Sequence, residues 1–351
     1  MYGFPTPPSG VARLAAVSRQ LGPGGLSLLV DHPDQLPSVY TIKELSGNLP
    51  QIYIKIDMGY GRAGVLPQSQ VASQLIPDVL QAEGVGAAIF YGLYTHAGQS
   101  YYGNDRVSAV DLLRQEFEAL LVTAELVRSA TPREKLVLSV GATPTTTSIR
   151  NLLVQEAALN TGEQTAIAAL KGTIQEIKSK GCEVELHAGV YPVLDVQQLA
   201  THALSSPMLS WSDLALTIMV EVASIYPGRG KGGRTEALIA AGSLALGREP
   251  CKAYSGWGIV SPWNIPNSQQ PKARPEDHEG WQVGRISQEH GILTWSGDRE
   301  PSPLAIGQKI RVFPNHACVA GACFDWYLVF DSESPGNEDR IIDVWPRWRG
   351  W

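Results

Sequence analysis

The sequence gathers chemistry-bearing residues into four short segments. Asp57-Met58-Gly59-Tyr60-Gly61-Arg62-Ala63-Gly64-Val65 sets one arginine among glycines that let the backbone approach a ligand, so Arg62 pairs with an anion or with the ring nitrogen of a cofactor. A surface turn with a solvated arginine accounts for the same residues. Tyr94-Thr95-His96-Ala97-Gly98-Gln99-Ser100-Tyr101 places hydrogen-bonding and aromatic groups directly after an apolar run, which is costly unless they meet a ligand. Tyrosine rings flank a planar cofactor while their hydroxyls reach a phosphate, although a lone Tyr or His is more often a satisfied structural residue. Ser139-Val140-Gly141-Ala142-Thr143-Pro144-Thr145-Thr146-Thr147 has the small residues, amides and hydroxyls of a phosphate cup opening a helix, or of a plain N-cap and turn. It is not GxxxxGK[ST], which disfavours nucleoside triphosphates. In Pro314-Asn315-His316-Ala317-Cys318, residues two apart on a strand share a face, so an imidazole and a thiolate reach one ion. Most His-x-Cys pairs are accidental. A real one would leave positions open for Lewis-acid work.

These segments need elements to hold them. Over the first 200 or so residues, strand-like runs alternate with helical ones, the pattern of repeated βα units about a parallel sheet. Helices are expected at 11–21, 68–83 and 105–129, the last with Leu112, Leu113, Phe117, Leu120 and Leu121 on a helical spacing. Strands are expected at 26–30, 52–56, 87–93, 136–140 and 183–187; 41–46 is undecided and 148–180 includes a helical excursion. Each strand delivers Gly, Thr, His, Tyr or Arg just past its C-terminal end, the rim where ligands bind in a (β/α) barrel. From about 214 the texture becomes β-rich segments between Gly/Pro loops (214–225, 236–246, 282–286, 292–295, 309–313, 326–330), a second and mainly antiparallel domain. The stretch 261–280 is read as exposed loop. The boundaries are thus 1–213 and 214–351.

A chain of 351 residues, 44% hydrophobic and 18% charged, is large enough to be an enzyme, and its net charge of -6 lacks the basic surplus of a nucleic-acid binder. The opening residues have no signal-peptide pattern, and no run of about 18 apolar residues offers a membrane span, so a cytoplasmic protein is expected. Cys182, Cys251, Cys318 and Cys323 show no disulfide framework.

Taken in order, YGFPTPPS, LSLLVDHPDQL, YIKIDMGYGRAGV, GLYTHAGQSYYG, LSVGATPT, ELHAGVYPVLDVQQ and VFPNHACVAGACFDWYLV resemble the eukaryotic-type D-serine dehydratases and related D-threonine aldolases, over residues 1 to about 330. The resemblance implies a (β/α) TIM-like barrel of the alanine racemase type, here incomplete, followed by an antiparallel β domain. It implies pyridoxal phosphate at the barrel rim with a zinc ion beside it. Tyr94 and Tyr101 would contact the cofactor, Thr143 and Thr145 would lie in its phosphate-binding stretch, and the backbone at Gly189 and Val190 would complete the cup. His316 and Cys318 would be the zinc ligands. Aldolases typically carry aspartate where Cys318 stands, which tips the choice toward the dehydratases. The implied reaction converts D-serine to pyruvate and ammonia, with zinc polarising the leaving hydroxyl.

Two features depart from the pattern. Family members carry, ahead of the segment like YGFPTPPS, a portion of barrel with the lysine that holds the cofactor; Lys55 matches a different position. The chain alone is therefore expected to be inactive, as a fragment or as a noncatalytic cofactor-binding relative. Ala188-Gly189-Val190 stands where relatives usually read Pro-Gly-Asn. His96, His187 and Asp57 are unranked candidates for acid/base work. The expected partner is a small D-amino acid, with a homodimer as the expected assembly.

Overall fold

In a computed structural model, which describes residues 1–133, 135–268, 271 and 274–348, the chain divides into two compact units, Met1–Ala188 and Gly189–Trp351. The first unit is a run of βα units: β1 (Tyr2–Pro5), α1 (Val11–Leu21), β2 (Ser27–Val30), α2 (Leu36–Ser46), β3 (Gln51–Lys55), α3 (Gln70–Gly84), β4 (Ile89–Tyr94), α4 (Arg106–Ala130), β5 (Leu136–Val140), α5 (Thr143–Ser148), α6 (Thr161–Ser179) and β6 (Cys182–Leu186). Its six strands pair in parallel and in sequence order, with β1 and β6 at the two edges. The undecided residues 41–46 belong to α2, and the excursion at 148–180 contains α6.

Strand alternation sorts this sheet into two faces. Leu28, Val30, Ile52, Ile54, Leu136, Leu138 and Val140 pack with the helices in the main core. The residues between them, Leu29, Tyr53 and Val137, join Tyr94 in a separate cluster. Lys55 and Ser139 continue that second face toward the C-terminal ends of β3 and β5. The second face therefore changes from apolar to polar as it approaches the rim.

The second unit contains α7 (Val196–Thr201), β7 (Ile218–Tyr226), β8 (Glu236–Ile239), α8 (Ser243–Leu246), β9 (Gly258–Val260), β10 (Gly280–Ile286), β11 (Gly291–Ser296), β12 (Lys309–Pro314), α9 (Ala317–Gly321), β13 (Trp326–Phe330) and β14 (Ile341–Pro346). Strands β7 to β12 close an antiparallel barrel in the order β10-β11-β8-β7-β12-β9, filled by Val220, Val222, Ile239, Trp281, Val283, Leu293, Ile310 and Val312. Strands β13 and β14 form a separate two-stranded ribbon.

Three expectations are corrected. The run 236–246 leaves the sheet after Ile239 and ends in α8, whose Ser243 amide bonds the Ser287 carbonyl. Residues 261–280 are irregular but not simply exposed: Ile265, Pro275 and His278 are buried, and 269, 270, 272 and 273 lie outside the described residues. The change of texture at 214 marks the approach to the barrel strands, whereas the second unit begins at Gly189 because Val190, Val196, Leu199 and Leu204 pack into its cores. No described helix is long and apolar enough to cross a membrane.

Candidate functional site

In the first unit, the sequence-predicted segments at 57–65, 94–101 and 139–147 follow the C-terminal ends of β3, β4 and β5. The turn after β3 is built on carboxylates: Asp57 Oδ1 accepts from the amides of Gly59 (2.9 Å) and Gly61 (3.1 Å), and Asp31 Oδ2 accepts from Gly64 (3.0 Å). Arg62 is exposed, with its guanidinium 5.4 Å from the Tyr60 ring centroid.

Beneath this turn lies Lys55, only 4% exposed, with its Nζ 4.5 Å from the centre of the Tyr94 ring. No ion pair or hydrogen bond involves this amine among the described residues, because the nearby carboxylates are already engaged by Gln35 and backbone amides. Burial, then the neighbouring Arg62, lowers its pKa to about 8.

Tyr94 stacks on His187, ring centroids 4.1 Å apart and planes 10° from parallel. Burial pushes the Tyr94 phenol up to about 12. His96 lies 6.3 Å from His187, again nearly parallel. The tautomers follow from the partners. Ser139 Oγ donates to Glu185 Oε1 (2.6 Å), so at 3.0 Å it accepts from His187 Nδ1–H. The Gly141 carbonyl only accepts, so His96 Nδ1, 2.8 Å away, carries the proton. Each ring is thereby left with Nε2 as its acceptor nitrogen. Burial lowers the pKa of His96 to about 4, helped by Arg62, and that of His187 to about 3, helped by His96, which keeps both rings neutral at physiological pH.

The cup segment opens a short helix, α5, which both of its readings allow. Gly141 precedes it with φ +143°, and an added Cβ would lie 2.1 Å from the His187 carbonyl oxygen and 2.2 Å from Thr146 Oγ1. Thr143 and Thr145 are 2% and 0% exposed, and the Thr145 hydroxyl is committed to the Ala142 amide at 3.0 Å. Tyr101 lies on a 3-10 turn, Gly98–Tyr102. Gly189 and Val190 belong to the second unit, where Val190 is buried in the barrel core and its carbonyl accepts from Val193 and Leu194.

Two carboxylates escaped the sequence reading. Glu116 is 0% exposed on α4, and its Oε1 accepts from the amides of Ala97 and Gly141, each at 3.0 Å. Burial raises its pKa to about 7 against the pull of bonds from Thr145, Ala97 and Gly141. It was detectable as an acid beside Phe117 on the apolar stripe with Leu113 and Leu120. Glu185, on β6, accepts from Tyr53 and Ser139, and alternation along Cys182–Leu186 puts it on the polar face.

In the second unit, His316 and Cys318 are not on a strand. Strand β12 stops at Pro314, and Asn315, 1% exposed, turns the chain by donating to the carbonyls of Glu249 (3.0 Å) and Gly256 (2.8 Å) while accepting from Tyr254. His316 then caps α9, with Cys318 in its first turn. Asp195, 1% exposed, ties this turn to α7: one oxygen accepts from Gln198 (3.1 Å) and the other from Ala317 (2.9 Å), the residue between the two donors. Burial raises the Asp195 pKa to about 6. Glu249 lies 3.7 Å from His316 Nδ1. Cys318 is exposed, and burial of its sulfur and the neighbouring Asp195 push its pKa up. Among the described residues no three His, Cys, Asp or Glu side chains form a ready metal cluster. All four cysteines are free thiols.

A family model described as "Alanine racemase, N-terminal domain" matches residues 9–158, and one described as "Putative serine dehydratase domain" matches residues 215–330. The D-serine dehydratase of Schizosaccharomyces pombe is 32% identical over 357 aligned residues, covering 100% of this chain and 73% of the relative. The chain belongs to the D-serine dehydratase family. Its family places the six-stranded parallel sheet and the antiparallel barrel in an alanine-racemase-like fold, as the solved D-threo-3-hydroxyaspartate dehydratase from Delftia sp. HT23 also does at 24% identity. That structure superposes with a TM-score of 0.71 over 100% of this chain and 79% of its own. A cysteine-to-alanine mutant of a D-threo-3-hydroxyaspartate dehydratase, "in the metal-free form", gives 0.70 at 23% identity, over 100% and 79%. The D-serine dehydratase family is a family of enzymes.

Proposed function

We propose that the chain is a D-serine dehydratase-like lyase that uses pyridoxal phosphate and zinc to convert D-serine to pyruvate and ammonia. The observation that carries this reading is the 32% identity to a D-serine dehydratase along the whole chain. We assign it a small D-amino acid as substrate, the cytoplasm as its compartment and a homodimer as its assembly, on the resemblance and the composition.

The residues of the first unit suit a planar, anionic cofactor. The Tyr94–His187 stack offers aromatic surface, and Lys55 and Arg62 supply positive charge beside it. Tyr94, Tyr101, Thr143 and Thr145, with the backbone at Gly189 and Val190, remain the proposed cofactor contacts; since the Thr145 hydroxyl is spent on Ala142, its part is to shape the turn. Pyridoxal phosphate, when bound, withdraws electrons from the substrate's α-carbon. The chain's own part is to orient that substrate and to receive a proton at Nε2 of His96; Nε2 of His187 is buried, and that ring serves as the stacking partner of Tyr94. His316 and Cys318 are the proposed zinc ligands: nitrogen and sulfur suit zinc, and Asp195 and Asn315 fix the backbone that carries them. Zinc, when bound, would act as a Lewis acid toward a β-hydroxyl. That a D-threo-3-hydroxyaspartate dehydratase of this fold has a cysteine-to-alanine mutant solved in a metal-free form is consistent with a metal in the family.

The test is product release from D-serine with added pyridoxal phosphate and zinc, D-threonine being assayed in parallel. Pyruvate release would support this reading and overturn the expectation, drawn from the sequence, that the chain alone is inactive. Glycine from D-threonine without pyruvate would replace this reading with an aldolase, and retention of the cofactor without either product would replace it with a noncatalytic cofactor-binding relative.

A further inference from the structure

Among the described residues Glu116 is the most deeply buried acid of the first unit, and its partners are not other side chains of α4. A carboxylate at 0% exposure is expensive to desolvate unless charge-assisted hydrogen bonds offset the cost. Here a single oxygen, Oε1, collects two backbone amides that are far apart in sequence, Ala97 after β4 and Gly141 after β5, both at 3.0 Å. These are the two tips that carry His96 and the Thr-rich turn.

Gly141 joins two consecutive peptide planes, each bonded to one functional group. Its N–H points to Glu116 and its carbonyl accepts from His96 Nδ1 at 2.8 Å. As a glycine at φ +143° it has no side chain with which to hold itself, so hydrogen bonds set its orientation. The Ala97 amide, on the residue next to His96, is held by the same oxygen. Glu116 thus holds the backbone beside the imidazole and the peptide that leads into the carbonyl the imidazole addresses, whose own plane is held through the Ala142 amide on Thr145.

We propose that Glu116 is the positioning residue of this rim: by gathering the Ala97 and Gly141 amides it holds the Gly141 carbonyl against His96 Nδ1–H and leaves His96 Nε2 as a proton-accepting nitrogen. The tautomer is a property of the protein alone, and only its use in catalysis rests on the reading above. Free imidazole side chains favour the opposite tautomer, so the Nδ1–H form reports the bond to Gly141.

Long-range nitrogen–proton NMR of the imidazoles decides the matter, His96 being assigned by its loss in a His96→Asn variant. In the unaltered chain the Nδ1–H form of His96 is expected to dominate. Glu116→Leu, which removes the acceptor at nearly constant volume, is expected to shift the tautomer ratio at least about ten-fold toward Nε2–H, and Glu116→Gln, which keeps an acceptor oxygen, to shift it less than about three-fold. A folded Glu116→Leu chain with an unchanged His96 tautomer would overturn the proposal. Should that variant fail to fold, Glu116→Asp, one methylene too short to reach both amides, carries the same expectation and the same power to overturn. Pyridoxal phosphate titrated into the same samples separates the two claims. If the unaltered chain does not bind it, the functional reading fails while the tautomer shift still decides the role of Glu116.

Discussion

An ammonium buried without a direct ion pair is uncommon, and Lys55 is such a group: Asp31 and Asp57 act on it only through space. Its folded pKa of about 8 lies below its ordinary 10.5, so the folded chain releases this proton before the unfolded chain does. The sign follows: the penalty is largest below pH 8, and stability rises with pH from about 8 toward 10.5. Lys55→Met is expected to remove that slope and to raise the unfolding free energy at pH 7 by on the order of 1–2 kcal/mol, as read from urea midpoints across that pH range. Little of this was legible beforehand. The sequence places Lys55 at the end of a strand, but not on which face, and the commitment of Asp31 and Asp57 to turn amides is a matter of tertiary geometry. His316 and Cys318, the proposed zinc ligands, were misplaced in conformation by the sequence, since nothing in it announces that Asn315 ends the strand through the Glu249 and Gly256 carbonyls.

At the scale of elements, the turn from β5 into α5 depends on Gly141. Alanine there meets a left-handed φ and two oxygens closer than any real contact. Gly141→Ala is expected to cost at least about 2 kcal/mol, measured as a fall in the denaturant midpoint, and to release His187 from its stack on Tyr94. The βα rhythm that leads to this turn was readable because buried parallel strands are short apolar runs and α1, α3 and α4 carry apolar stripes. The undecided helix α2 shows why reading stops where it does: it begins with Leu36-Pro37 and is amphipathic only weakly, so tertiary packing of Val39 and Ile42 defines it. Glu116 and Glu185 were hidden differently. Both interrupt a pattern that is otherwise apolar or solvent-facing, and an interruption gains meaning only when the groups it meets are known.

The whole molecule has separate cores, one between sheet and helices and one inside the antiparallel barrel. Domains with their own cores open as their own cooperative units. Phe117, fully buried in the first core, provides the check. Phe117→Ala is expected to cost about 3–5 kcal/mol and to raise amide exchange throughout residues 1–188, with the protection of strands β7 to β12 unchanged in hydrogen-exchange mass spectrometry. Loss of protection in the barrel would show that the two cores unfold together.

The order of pairing in that barrel also decides how it answers to force. Strand β7, its first, lies against β12, its last, with Ile218 opposite Val312, so the chain enters and leaves at neighbouring points. Their hydrogen bonds run across the strands, and tension applied at these two points loads them one after another. A ring of strands that has no free edge in solution therefore has a built-in pull tab: under tension between these two ends it unzips from the β7–β12 pair instead of resisting in shear.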